Sequence, residues 1–196
     1  MSFKIVESFE KAIADFYGAP YAVAVDCCTH GIELCIRHKK LEKIVIPTRT
    51  YLSIAFLGEK LGIAREWKDE EWKDYYYIKN TNIIDASVYW KKNGYINGTF
   101  MCLSFQYQKH LSLGRGGMIL TDNLEDKKIL KEMSYDGRSP NIQWRNQNIN
   151  RLGYHYYMTP EIAELGLKKL PKAIEKKPKK WVLEDWPDLT KMDIFK

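Results

Sequence analysis

A single lysine, Lys109, lies in Ser104-Phe105-Gln106-Tyr107-Gln108-Lys109-His110-Leu111-Ser112-Leu113, and Gly114-Arg115-Gly116-Gly117 follows it. The apolar runs Phe100 to Phe105 and Met118 to Leu120 on either side read as strands joined by a lysine-bearing loop and a tight turn. An ammonium held between buried strands loses water, which lowers its pKa and frees the amine as a nucleophile toward carbonyls. Taken alone, Lys109 reads as an ordinary surface lysine in a loop, and only the rest of the sequence changes that. Three other segments offer partners. Asp26-Cys27-Cys28-Thr29-His30-Gly31 opens a helix, where free backbone N–H groups and a hydroxyl can hold a phosphate. Pro47-Thr48-Arg49-Thr50-Tyr51 carries an aromatic ring, and Asp85 supplies a carboxylate. Singly, Thr29 is a plain N-cap, Tyr51 a core ring and Asp85 a turn former.

The elements that must position these groups alternate between strand and helix. Ser2 to Tyr17 carries a helical stripe of Phe3, Val6, Phe9, Ile13 and Phe16, stopped by Gly18 and Pro20. Tyr21 to Val25 reads as a buried strand, a helix begins at Thr29, and Lys43 to Ile46 is the next strand. Thr50 to Leu61 suits a third helix, whereas Trp67 to Tyr77 has no assignable structure. Asn82 to Ile84 is a strand ending on Asp85. Helices follow over Leu124 to Met133 and Thr159 to Ile174, the second with Thr159 at N-cap and Pro160 at N1. Alternation of this kind implies a mostly parallel sheet with helices on its faces, and ligands in such sheets sit at the carboxyl ends of strands. Thr29, Tyr51, Asp85 and Lys109 all fall at such ends.

Composition narrows the class. The 196 residues, 45% hydrophobic and 29% charged, fit one globular domain. The net charge of +6 is concentrated in lysines between Lys168 and Lys196, which read as a solvated helix face. A nucleic-acid or nucleotide-binding module driven by that basic end ranks last among the readings. The four cysteines, Cys27, Cys28, Cys35 and Cys102, support neither a disulfide framework nor a zinc site, which suits a reducing compartment. With no leader pattern and no apolar run near the roughly 18 residues of a membrane span, the expectation is a soluble, cytoplasmic protein with neither nucleic-acid nor membrane partner.

An anion site, an aromatic plate, a carboxylate and a lysine are together what a pyridoxal 5′-phosphate site requires. The blocks T-H-G-I-E-L, I-P-T-R-T-Y, N-I-I-D-A-S, S-F-Q-Y-Q-K, G-R-G-G-M-I-L-T-D and G-Y-H-Y-Y-M-T-P-E-I-A-E-L-G-L-K-K-L resemble, in this order, the DegT/DnrJ/EryC1/StrS aminotransferases. The resemblance covers roughly residues 3 to 172, with gaps. It implies a three-layer, fold-type I core in a strongly shortened member lacking most of the C-terminal small domain. Residues 1–178 would form the single reduced domain and 179–196 an aromatic and basic tail. It also implies that Lys109 forms the imine with the cofactor, Asp85 pairs with the pyridine nitrogen and Tyr51 stacks on the ring. Thr29, Ser104 and the backbone of Cys28 would bind the phosphate, and His155 would complete the site of a second subunit in a homodimer.

The implied function is amination of a keto sugar nucleotide, with glutamate as amino donor; the alternative is an eroded homologue that binds the cofactor or a partner without sugar turnover. Departures from the family pattern are Cys27-Cys28 for serine-glycine, Arg115 for an acid, Val88 for a polar residue and His155 for asparagine. The tail from Trp181 is expected to pack over an active-site cleft, its own or a partner's.

Overall fold

The computed structural model describes residues 3–196, so Ser2 of the expected first helix lies outside it. Period-two alternation along four short strands determines the layering. β1 (Tyr21–Val25) sends Ala22 and Ala24 into one core and Val23 and Val25 into the other. β5 (Ile83–Asp85), β6 (Phe100–Ser104) and β7 (Gly117–Thr121) divide likewise. Ile84, Met101, Leu103, Met118 and Leu120 share the first face, and Ile83, Phe100, Cys102 and Ile119 the second. Strands buried on both faces need a helix layer on each. α1 (Lys4–Tyr17) and α6 (Pro160–Glu175) cover the first face through Phe9, Ile13, Ala163 and Leu170. α2 (Cys28–His38) and α5 (Leu124–Ser134) cover the second through Ile32, Cys35, Leu130 and Met133. The three-layer α/β core is therefore as the sequence implies.

The main sheet has the order β1-β7-β6-β5-β4, in which β4 is the two-residue strand Tyr76–Tyr77. Here the expected mostly parallel sheet needs correction. β1, β5 and β6 run in one direction, and β5 pairs with β6 in parallel, but β7 lies antiparallel between β1 and β6, and β4 is antiparallel to β5. The physical reason is the connection: only the loop 105–116, with no crossover helix, links β6 to β7, and such a return yields an antiparallel neighbour. The reversal brings Gly117 opposite both Val25 and Ser104, at the edge where β1, β5 and β6 end.

β2 (Lys43–Pro47) and β3 (Ala64–Lys68) form a separate parallel pair. The Lys79 N–H donates to Val45 O at 3.0 Å and joins that pair to the segment following β4. The single helix expected over Thr50 to Leu61 is instead α3 (Leu52–Ala55) and α4 (Leu57–Leu61), interrupted at Phe56. Beyond α6, three 3-10 turns carry the tail back across the strand-end edge. Leu189 N–H donates to Thr48 O at 2.9 Å, and Arg49 Nη1 donates to Trp186 O at 2.8 Å. Phe195 packs against Phe56 and Trp67.

Candidate active site

Two glycines let the lysine loop close against the helix that follows β1. Gly114 takes φ 84°, in the left-handed region where a side chain would be strained, and its carbonyl accepts from Tyr107 N–H at 3.1 Å. At Gly117 a β-carbon would lie 2.6 Å from both the carbonyl carbon of Cys27 and the amide nitrogen of Cys28. Only a bare backbone can come this near. The start of β7 is thereby pressed against the start of α2, whose first N–H groups have no partner within the helix.

A cavity of about 760 Å³ opens at this edge, within the range of roughly 300–1,000 Å³ typical of small-molecule sites. Lys109, Asp85, Tyr51, Thr29, Cys28 and Ser104 all line it. His155 does not. It lies outside the cavity with a side chain 70% exposed, Nδ1 at 3.2 Å from Asp136.

Lys109 is held by the loop, where its N–H donates to Gln106 O at 2.8 Å. Its Nζ lies 4.7 Å from the Trp181 ring centre and 5.4 Å from that of Trp186. The two indoles stack on each other, so the tail does cover this chain's own cavity. Burial lowers the pKa of Lys109, against the opposing pull of Asp85 and Cys28.

Asp85 is buried at the end of β5. Its Oδ2 accepts from the Tyr76 hydroxyl at 2.8 Å, and its Oδ1 accepts from Ser87 N–H at 3.0 Å. Cys28 Sγ lies 4.0 Å from the same Oδ1. Burial, then the Asp85 charge, raises the Cys28 thiol well above its usual value, so it stays protonated. Thr29 Oγ1 and Ser53 Oγ are 2.6 Å apart, which ties α2 to α3 at the cavity wall. Ser104 Oγ accepts weakly from Gln106 N–H at 3.4 Å. Tyr51 is 54% exposed, and its ring meets Trp186 edge-on at 6.5 Å.

The sequence did not single out Tyr76 or the network around Asp26. Tyr76 sits on a strand too short for any periodicity to mark. Asp26 accepts from His30 Nδ1 at 2.7 Å through one oxygen and from Arg115 Nη2 at 2.7 Å through the other. Burial would raise the Asp26 pKa, but the bonds from His30 and Arg115 bring it below the usual carboxylate value. His30 is correspondingly pushed up to about 9: burial works against the charge, and Asp26 and Cys27 outweigh it. Its ring stacks on Tyr156 at 3.7 Å. Asp26, Cys27 and His30 bring their ligand atoms within 4.8 Å of one another. Both carboxylate oxygens already face cationic partners, however, and a protonated imidazole offers no lone pair to a metal.

This donor set fits pyridoxal phosphate, with an amine of lowered pKa, a buried carboxylate and a helix N-terminus flanked by hydroxyls around one cavity. The sequence model of the DegT/DnrJ/EryC1/StrS aminotransferase family matches residues 1–64 and 84–181. The uncharacterized protein MJ1066 of Methanocaldococcus jannaschii is 31% identical over 140 residues, which cover 67% of this chain and 34% of that protein. Among solved structures, AtS13 from Actinomadura melliaura superposes with a TM-score of 0.77 at 19% identity, covering 89% of this chain and 61% of that one. The sugar aminotransferase CalS13 from Micromonospora echinospora gives 0.72 at 14% identity, covering 87% and 61%. The chain thus spans about a third of its curated relative and about three fifths of these structures. With its family model matched over most of its length and its three-layer core shared with these structures, the chain belongs to the DegT/DnrJ/EryC1/StrS aminotransferase family.

Proposed function

We propose that this chain is a pyridoxal phosphate-dependent aminotransferase that passes an amino group from glutamate to a keto sugar carried on a nucleotide. The observation that carries the reading is the half-buried Lys109, its pKa lowered, in one cavity with the buried Asp85 and the N-terminus of α2. When bound, the cofactor would supply an electron sink for the charge left on the reacting carbon. The chain's own residues would do the rest. Thr29, Ser104 and the backbone of Cys28 hold the phosphate where the helix end favours an anion. Tyr51 would cover the ring, and Asp85 would keep a proton on its nitrogen. Lys109 would hold the group and would move a proton at the substrate carbon.

A homodimer with shared sites is part of this proposal. Its support is the exposed position of His155 outside its own cavity, together with the exposed apolar side chains Ile142, Trp144, Ile149 and Leu152 on the segment before it. A cofactor-binding homologue without turnover is the competing reading, favoured by the two indoles that close over Lys109. An absorbance spectrum tests both. Reconstituted protein shows a lysine-linked cofactor band that is lost in Lys109→Ala, and added glutamate converts it to the aminated cofactor. A protein that stays colourless with excess cofactor overturns the proposal, and a band unmoved by glutamate selects the inert homologue.

A further inference from the structure

Asp85 receives its shortest side-chain hydrogen bond from β4, the strand paired with β5, at the register position opposite it. Tyr76, on β4, is buried and donates its hydroxyl to Asp85 Oδ2 at 2.8 Å. The Thr50 hydroxyl, also buried, bonds the same phenol oxygen. The phenol has one proton, already given to the carboxylate, so the proton between Thr50 and Tyr76 must come from Thr50. The result is a one-way chain, Thr50 to Tyr76 to Asp85, drawn from three separate segments: the loop after β2, β4 and β5. Donors in such a chain polarise one another. Oδ1 is held from the other side by Ser87 N–H at 3.0 Å. With a donor on each oxygen, the plane of the carboxylate is fixed at the cavity wall.

We propose that Tyr76, itself held by Thr50, is a positioning residue that aims Asp85 at the ring nitrogen of a bound pyridine cofactor. The inference rests on the function proposed above, because a carboxylate needs aiming only if a protonated ring nitrogen lies opposite it. Burial, and then the charge of Asp85, raises the Tyr76 pKa well above its usual value, so the phenol remains a donor throughout the working pH range. Removing the hydroxyl leaves Asp85 with one oxygen unheld and Thr50 without its acceptor.

The test compares binding of pyridoxal 5′-phosphate with binding of its 1-deaza analogue, in which carbon replaces the ring nitrogen, to the full chain and to Tyr76→Phe. Apo-protein unfolding is recorded alongside. The unaltered chain should prefer pyridoxal phosphate, and Tyr76→Phe should lose about tenfold of that preference, the loss expected for one hydrogen bond to a charged group. Affinity for the deaza analogue should be unchanged. A purely structural role would weaken both ligands equally, and that result, or an undiminished preference, overturns the proposal while leaving the proposed function standing. If the unaltered chain binds neither ligand, both fall. Should Tyr76→Phe fail to fold, Thr50→Val is read by the same ratio with the same two outcomes.

Discussion

Lys109 has its ammonium near two indole faces, where cation–π attraction and loss of water act in opposite senses on the charge. Burial lowers the Lys109 pKa below that of an ordinary lysine, with Asp85 and Cys28 opposing. Trp186→Ala should therefore let water in and move the pH midpoint for acylation of Lys109 by an amine reagent upward, toward that of an ordinary lysine. A midpoint that stays or falls would show that the indoles do not set it. Arg115 interrupts the family pattern with a cation, yet it has a definite role in the structure, closing an ion pair with Asp26 that His30 shares. The folded-state pKa of His30, about 9, lies above its unfolded value of about 6.5. Its contribution to stability is thus complete below about pH 6.5, declines above it and is gone once pH has risen through about 9. Denaturant midpoints measured across this window should fall with pH in the unaltered chain and be flatter in His30→Gln. Equal slopes would remove His30 from the account.

At the scale of elements, the site exists because β7 is reversed. A parallel β7 would place its other end beside the ends of β1 and β6; instead Gly117 arrives there with no side chain and allows the starts of β7 and α2 to touch. Gly117→Ala has no room to relax, since all three obstructing atoms belong to the backbone. It should cost about 1–3 kcal/mol in unfolding experiments and weaken cofactor binding through the displaced start of α2. A neutral substitution would mean that β7 can shift without disturbing α2. Most of the elements were legible. β1 is a short apolar run read as a buried strand, and the expected bounds of the helices at α5 and α6 differ from the observed ones by one residue. β3 and β4 were not legible, because the Trp67 to Tyr77 tract is rich in aromatic and charged residues without a repeating face, and β4 has only two residues. The reversed direction of β7 was obscured by the general strand-helix alternation, although the absence of a helical pattern between Phe105 and Gly117 was its signal.

Across the whole molecule, the tail joins β2 and the loop after it to the cavity. Trp186 is buried and meets Tyr51, Trp72 and Trp181, while its carbonyl accepts from Arg49. Removing residues 179–196 should expose Lys109, loosen β2 and β3 and lower cofactor affinity. Calorimetry and cofactor titration check this, and unchanged values in both would show the tail to be an independent appendage. Among the described residues no helix is long and apolar enough to cross a membrane. Two-copy assembly is expected at the segment bearing Trp144, Leu152 and His155, and sedimentation should give a dimer that a charged residue at Leu152 weakens. A monomer at all concentrations would refute shared sites.

The sequence by itself determined the local signals: apolar periodicity, the glycine turn, a helix start within a residue of Thr29 and a lysine and an aspartate at strand ends. Each depends on neighbours within a few residues, and the order of such segments along the chain was enough for the family. Only the tertiary structure decided which groups act on them. Tyr76 on Asp85, Thr50 on Tyr76, Arg115 on Asp26 and Trp181 on Lys109 are meetings of residues 9, 26, 89 and 72 positions apart. The first follows from the pairing of β5 with β4, a two-residue strand with no sequence signature, and the other three are governed by the packing of the whole core.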